Sequence, residues 1–157
     1  MPVNIEQLYR SHGFVVLRRA RALLGSEPDA QEALQEVFAG LLRDPGAVRE
    51  PAAATGWLYQ ATTHHCLNVL RNRRTGARIL NAQPVAPEAS AASPEALAEL
   101  RSLLALLPDE VAAAVVYHHL DGLTHDETAR MLGCSRRQVG YLLLRAQQSL
   151  QLAEQSA

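Results

Sequence analysis

The 157-residue sequence contains no lysine, so all 15 of its basic residues are arginine. Only 4% of the residues are aromatic, and the two cysteines lie far apart, which excludes a disulfide-dense scaffold. The longest uninterrupted apolar run, Val111–Tyr117, is far shorter than the ~18 residues that a membrane span requires. The N-terminal residues lack the basic-then-apolar layout of a secretory signal. We therefore expect a cytoplasmic protein without membrane insertion, whose cores are built from Leu, Val and Ala.

Charge is unevenly distributed, although the formal net charge of the whole chain is only −1. Acidic residues are absent from Pro51 to Pro87. This acid-free stretch holds four arginines, at Arg71, Arg73, Arg74 and Arg78. From Asn81 to Leu100 the sign reverses, with three glutamates and no basic residue. The net charge argues against a polyanionic partner, whereas the local charge favours one.

A segment without periodicity and with three prolines, Gln83–Pro94, predicts a linker. It divides the chain into an N-terminal domain (1–80), a linker (81–94) and a C-terminal domain (95–157). Apolar residues recur at helical spacing in both domains, and no alternating strand pattern occurs. The predicted fold class is all-α, with two small helical domains joined by a flexible linker.

Three helices are predicted in the N-terminal domain. The first extends from Asn4 to Leu24, and Gly25 stops it. Ser26 caps the second, which has one apolar face, formed by Ala30, Leu34, Val37, Phe38 and Leu41. The opposite face of this second helix presents Glu32, Gln35 and Glu36. The third helix is predicted from Trp57 to about Arg74, after a loop.

Polar and basic side chains recur along the third helix at steps of three or four residues: Gln60, His64, Asn68, Arg71, Arg74 and Arg78. Arginines in such a stripe can neutralise phosphates, and His64 and Asn68 can reach base edges. The stripe therefore favours a nucleic-acid surface, and an ordinary solvated helix face is the alternative.

The strongest local signal lies near the C-terminus. Thr124–Glu127 and Ser135–Gln138 both fit the capping-box pattern, which marks two helix starts separated by a short interval. Gly133 stands where a tight turn needs a positive φ, and Val139 and Leu142 have the spacing to bury the second helix against the first. This pattern predicts a helix-turn-helix, and an ordinary helical hairpin is the alternative.

With these elements placed, the chain resembles an extracytoplasmic-function (ECF) sigma factor, a small class of bacterial RNA polymerase sigma subunits. The resemblance covers almost the whole length, and five stretches carry it: 8–25, 29–38, 56–74, 107–108 and 121–146. It implies a domain like sigma region 2, which binds core polymerase and the start-proximal promoter element. It also implies a domain like sigma region 4, which binds the start-distal element, and an anti-sigma factor as a further partner.

The resemblance and the residue patterns together name the candidate site residues. The polymerase-binding residues are predicted to be Asp29, Glu32, Gln35 and Glu36. The residues that contact the start-proximal DNA are predicted to be His64, Asn68, Arg71, Asn72, Arg74 and Arg78. Those that contact the start-distal DNA are predicted to be Ser135, Arg136, Arg137, Tyr141 and Arg145.

The recognition helix departs from the family pattern. Gly140 and Leu142 stand where relatives usually carry Lys and Arg, and a mid-helix glycine costs roughly 1 kcal/mol relative to alanine. Two hypotheses follow: a working sigma factor with unusual promoter readout, or a sigma-like mimic that binds an anti-sigma factor or another protein instead of promoter DNA. Some other helix-turn-helix regulator is a third.

The sequence gives little support for a catalytic site or a metal site. No pattern brings a nucleophile, a base and an oxyanion donor together, so we predict that the chain is not an enzyme. Neighbouring histidines occur at His64–His65 and His118–His119, but adjacent residues on a helix point in different directions. No metal or cofactor is predicted.

Overall fold

The computed structural model describes residues 3–74 and 93–155, which we call the N-terminal half and the C-terminal half. Every regular element in these two ranges is helical, so the all-α prediction is confirmed. The N-terminal half contains α1 (Ile5–Leu24), α2 (Glu27–Arg43) and α3 (Ala54–Arg74). The C-terminal half contains α4 (Pro94–Leu106), α5 (Asp109–Val115), α6 (His125–Leu132) and α7 (Arg136–Gln155). Most of the predicted linker, residues 81–92, lies outside the described residues.

The first helix ends at Gly25 and the second is capped by Ser26, as predicted, and Asn4 is the residue that caps the first. The Asn4 side chain accepts a hydrogen bond from the backbone N–H of Gln7 at 3.2 Å, which satisfies one of the free donors of the first turn. Gly25 ends α1 in the left-handed conformation, with φ of 65°. Ser26 then caps α2, where its hydroxyl accepts from the backbone N–H of Asp29.

The third helix begins earlier than the sequence pattern indicates. Trp57 was the predicted start, but a 3-10 turn at Pro51–Ala53 leads directly into α3 at Ala54. Ala54 already has helical dihedral angles and is buried. The helix starts early because this buried alanine packs into the core of the N-terminal half, a tertiary contact that hydrophobic periodicity does not reveal.

One hydrophobic core lies within the N-terminal half, where α1, α2 and α3 enclose it. All five residues of the predicted apolar face of α2 are buried. The core side chains on the three helices and the loop before α3 are Leu8, Val16, Leu34, Val37, Phe38, Leu41, Val48 and Leu58. Burial of these side chains aligns α2 and α3 side by side, so that their polar faces border the same surface.

A second core joins the two halves, which the prediction of two domains on a linker did not include. Helices α4 and α5 pack directly against α3. The buried residues of this core come from six helices and include Leu23, Ala30, Leu67, Leu70, Leu104, Val111, Tyr117 and Leu142. The C-terminal half therefore covers part of the N-terminal half.

The helix-turn-helix prediction agrees with the structure. Thr124 and Glu127 form the reciprocal capping box at the start of α6, with bonds of 2.9 and 3.1 Å. Gly133 ends α6 with φ of 68°. Val139 and Leu142 of α7 are buried, as expected for a helix that packs against its partner. Before this motif, α5 continues into a π-helical turn at Val116–Leu120.

Candidate nucleic-acid and partner interfaces

An acidic surface lies on α2, on the side opposite its buried face. Glu32, Gln35 and Glu36 are all exposed there. The Glu36 carboxylate lies 3.9 Å from the Arg43 guanidinium, with both side chains largely in solvent, so this pairing adds little stability. The three residues form a carboxylate-and-amide surface that is accessible to a basic partner.

Asp29, the fourth candidate for polymerase binding, points inward. Only 15% of its side chain is exposed, and its carboxylate accepts a hydrogen bond from Arg73 of α3. Arg73 also donates to the backbone carbonyl of Leu24 at 2.8 Å, in the last turn of α1. The geometry thus gives Asp29 a structural role, joining the start of α2 to α3, and separates it from the exposed surface of Glu32, Gln35 and Glu36.

The stripe on α3 is partly exposed and partly covered. His64, Asn68 and Asn72 are exposed. Arg71, in contrast, forms an ion pair with Asp109 of α5. Gln60, at the other end of the stripe, donates to the backbone carbonyl of Met131 at 2.9 Å. Arg74 ends α3, but its side chain lies outside the described part of the chain, as does the whole of Arg78.

An open groove runs between α2 and α3 beside the stripe. Its lining combines the half-buried indole of Trp57, the exposed amide of Asn68 and the charged pair of Glu36 and Arg43. An aromatic ring next to a hydrogen-bonding amide in an open groove is a suitable surface for an unstacked base. The sequence pattern did not single out Trp57 for this surface, because an aromatic residue at a helix start is more often part of a core.

The recognition helix presents its predicted DNA-facing residues to solvent. Ser135 caps α7 by accepting from the backbone N–H of Gln138 at 3.0 Å. Exposed residues on the first turns of α7 are Arg136, Arg137, Tyr141 and Arg145. Arg136 lies 3.7 Å from Asp126, in a solvent-exposed pair.

The two departures from the family pattern have different structural settings. Leu142 is buried in the core that joins the halves, so an arginine at this position would have to leave that core. Gly140 is half-buried, and a Cβ added there would meet no atom within 4 Å. The structure gives no packing reason for this glycine.

Polar contacts between the halves form a group that sequence reasoning did not find. Arg19 of α1 donates to both carboxylate oxygens of Asp121, at 2.6 and 2.7 Å, and only 9% of its side chain is exposed. Arg101 of α4 donates to the backbone carbonyl of Ala22 at 3.2 Å. Because these partners lie far apart in sequence, no local spacing could have indicated them.

The described residues contain neither a metal-binding cluster nor a membrane-spanning helix. Within residues 3–74 and 93–155, no three His, Cys, Asp or Glu side chains lie close enough together to hold a metal ion. No helix in the same ranges has the length and apolar character needed to cross a membrane.

Comparison of the amino-acid sequence with known proteins shows which family the chain belongs to. Residues 8–75 match the family model of Sigma-70 region 2, and residues 97–150 match that of Sigma-70, region 4. The ECF RNA polymerase sigma factor SigM of Mycobacterium tuberculosis is 34% identical over 147 residues, which cover 92% of this chain and 74% of that relative. The chain belongs to the ECF sigma factors.

A further relative and two solved structures are also similar to this chain. The ECF sigma factor SigE of Mycolicibacterium smegmatis is 31% identical, over 92% of this chain and 59% of that protein. The fold is similar to that of the sigma factor RpoE in complex with the anti-sigma factor NepR from Bartonella quintana, with a TM-score of 0.58, 14% identity and 93% of each chain covered. It is also similar to CnrH in complex with the cytosolic domain of CnrY, with a TM-score of 0.59, 21% identity and coverage of 97% and 88%. The ECF resemblance drawn from the sequence is thus confirmed, and nothing favours the mimic hypothesis.

Proposed function

We propose that this ECF sigma factor binds core RNA polymerase through α2 and promoter DNA through α3 and α7. It thereby directs transcription initiation as a dissociable, non-enzymatic subunit in the cytoplasm. Residues 1–80 would act as the region 2 domain and residues 95–157 as the region 4 domain, joined by the linker 81–94. An anti-sigma factor is a further proposed partner. One of the similar solved structures is a complex with the anti-sigma factor NepR, and the other is a complex with the cytosolic domain of CnrY.

The observation that carries the proposal is the separation of charge on the N-terminal half. The exposed face of α2 carries Glu32 and Glu36, whereas α3 contains no acidic residue at all. A basic protein surface would be attracted to the first face and a phosphate backbone to the second. A basic protein and a nucleic acid could therefore bind side by side without competing for the same surface.

Each DNA surface has a separate proposed task. On α3, His64, Asn68 and Asn72 offer hydrogen bonds to bases, and Arg71 and Arg74 would neutralise phosphates. Arg78, outside the described residues, is proposed to neutralise a further phosphate. The groove beside Trp57 would accept a base that leaves the stack when the duplex opens. On α7, the residues proposed to contact the major groove of the start-distal element are Ser135, Arg136, Arg137, Tyr141 and Arg145.

In vitro transcription with core polymerase tests the function directly. The double variant Glu32→Ala, Glu36→Ala should weaken core binding at least about tenfold, as expected for the loss of charged contacts in an interface. The matched control is Glu50→Ala, which removes an exposed carboxylate from the loop before α3. Fluorescence anisotropy of labelled protein with core polymerase gives the affinity.

A second variant tests the promoter surface. His64→Ala with Asn68→Ala should reduce promoter opening while core binding stays at the parent level. Equal transcription by parent, α2 variant and α3 variant would contradict the residue assignments. Failure of the parent protein itself to direct any transcription from genomic promoter fragments would contradict the function.

A further inference from the structure

The last helix, α7, extends beyond the core that it helps to form. Its side chains that are buried are Val139, Leu142 and Ala146, and the helix continues past them to Gln155. The described side chains after Ala146 are exposed, apart from the half-buried Ser149. A helix in water owes most of its stability to the packing of an apolar face. The end of α7 therefore offers a surface on which a partner would add stability.

A stripe of large side chains follows the outer face of α7, and we call it the α7 ridge. It consists of Tyr141, Leu144, Gln148 and Leu152, whose spacing of three and four residues places them on one side of a helix. Tyr141 is 53% exposed, Leu144 51% and Leu152 64%. This spacing is typical of the contact surface between two helices. The ridge lies roughly opposite the buried residues of α7, so the core of the same chain does not cover it.

We propose that the α7 ridge binds the α7 ridge of a second copy of this chain, with the two helices antiparallel, in a weak homodimer. A two-fold axis beside Gln148 brings this residue to its own counterpart. Leu144 of each chain then packs against Leu152 of the other, since both lie four residues from the axis. Tyr141 meets Gln155 in the same way. The contact is thus self-complementary along the whole ridge.

The charges along α7 favour a second copy in this orientation. The first half of the helix carries Arg136, Arg137 and Arg145 and no acidic residue, whereas Glu154 is the one charged residue from Ala146 to Gln155. The carbonyl end of a helix also carries a partial negative charge. Antiparallel pairing brings the basic half of each copy beside the acidic end of the other. A parallel pair would instead place the arginines of both copies together.

The polar side chains of this surface also complement themselves. Gln148 and Gln155 each carry a hydrogen-bond donor and an acceptor, so two copies of Gln148 can bond to each other across the axis. A strongly charged partner would find no charge to pair with on Leu144, Gln148 or Leu152. The chemistry of the ridge therefore fits an identical helix better than a charged surface.

Such a dimer occludes the recognition helix, a consequence that rests on the proposed function. Tyr141 belongs to the ridge, and Arg137 and Arg145 lie one helical turn from it on either side along α7. A second helix, about 10 Å wide, cannot share this face with the major groove. A few helical turns from each copy bury less than the about 1,600 Å² of a standard interface, so we expect a dissociation constant on the order of micromolar.

Sedimentation equilibrium of the full chain tests the dimer. Leu152→Gln should raise the dissociation constant of the dimer at least about tenfold, because it removes an apolar contact from both ends of the paired ridges. Leu152 is not among the residues proposed to contact DNA or polymerase. Leu42→Gln is the matched control, since Leu42 is 65% exposed on α2 and should leave the constant at the parent value.

A cross-link tests the position of the axis. Gln148→Cys, made with Cys134→Ser, places one thiol of each copy beside the axis, and bismaleimidoethane should join the two chains. Gln147→Cys in the same background is the control, because this neighbouring exposed residue is rotated by about 100° around the helix. Cys66 stays unreactive, since burial raises the pKa of its thiol to about 12. Circular dichroism checks that all variants are folded.

The binding of start-distal promoter DNA separates the dimer from the proposed function. The cross-linked Gln148→Cys dimer should bind this DNA at least about tenfold more weakly than the same variant without the reagent. Equal affinities would overturn the occlusion. A parent chain that stays monomeric well above micromolar concentration, or equal cross-linking at Gln147→Cys and Gln148→Cys, would overturn the dimer. If Leu152→Gln and the parent both fail to direct transcription with core polymerase, the proposed function fails, while sedimentation and cross-linking still decide whether the chain dimerises.

Discussion

Arg73 donates a hydrogen bond to the backbone carbonyl of Leu24 at 2.8 Å, from a position two residues after Arg71 in an arginine-rich run. The two side chains point to different sides of α3, because successive helical residues are rotated by about 100°. Arg73 faces α1 and Asp29, whereas Arg71 lies on the outer stripe. A basic run in the sequence is thus divided between a mostly buried contact with α1 and α2 and the outer face of α3.

Arg73→Ala should therefore destabilise the protein by roughly 1.5–3 kcal/mol, because it leaves the mostly buried Asp29 carboxylate without this donor. Urea unfolding followed by circular dichroism measures the change. Arg10→Ala is the control, since Arg10 pairs with Glu6 on the exposed face of α1 and its loss should change the free energy of unfolding by less than about 0.5 kcal/mol. Equal effects would refute the structural role of Arg73.

Two glycines of the helix-turn-helix should respond in opposite ways to alanine. Gly140 lies inside α7, and an added Cβ meets no atom, so Gly140→Ala should stabilise the protein by about 0.5–1 kcal/mol. Gly133 has φ of 68°, so Gly133→Ala should destabilise it by about 1–2 kcal/mol. Urea unfolding of the two variants tests the contrast, and a Gly133→Ala variant as stable as the parent would show that the turn tolerates a side chain.

Three histidine rings meet at the entrance to the helix-turn-helix. His118 lies 4.8 Å from His119 and 4.7 Å from His125, measured between ring centroids. Burial, followed by the neighbouring His118 and His125, holds the pKa of His119 below its usual value of 6.5. The unfolded chain therefore takes up this proton at a higher pH than the folded chain does. The stability that His119 contributes is fully present above the unfolded pKa and is lost as the pH falls from there through the lower folded pKa.

The free energy of unfolding, measured in urea from pH 8 to pH 5, should decline less steeply in His119→Gln than in the parent. His64→Gln, at an exposed position of α3, should retain the decline of the parent. Parallel pH profiles for the parent and His119→Gln would show that His119 makes no contribution to the pH dependence.

Tyr141 is 53% exposed on α7, one helical turn from Arg137 on one side and from Arg145 on the other. If α7 enters the major groove as proposed, the ring can contact thymine methyl groups. Tyr141→Ala should then lower the affinity for start-distal promoter DNA about tenfold, and thymine-to-uracil replacement in the DNA should lower it for the parent alone. Fluorescence anisotropy measures both, with Gln151→Ala on the exposed end of α7 as the control. An unchanged affinity in Tyr141→Ala would remove this residue from the readout.

The local elements of this protein were predictable because their signals are local. Asn4, Ser26 and Thr124 each satisfy a backbone donor within three residues, and Gly25 and Gly133 adopt the left-handed conformation that ends a helix. The exposed acidic face of α2 follows from helical periodicity in the same way. The start of α3 was predicted too late, since burial of Ala54 depends on helices elsewhere in the chain.

The candidate site was only partly predictable. Side chains of Glu32, Gln35 and Glu36 lie where the pattern indicates, but Asp29 faces Arg73 because α3 packs across the start of α2. The partners of Arg71 and Gln60 come from the C-terminal half, and no spacing within α3 reveals them.

The amino-acid sequence by itself determined the all-α fold class, the three helices of the N-terminal half, the helix-turn-helix and the family to which the chain belongs. Only the tertiary structure decided which arginines are exposed and which join distant helices. The reason is physical: capping and periodicity act over a few residues, whereas the pairing of Arg19 with Asp121 requires two distant segments to be packed on one core before the ions can meet.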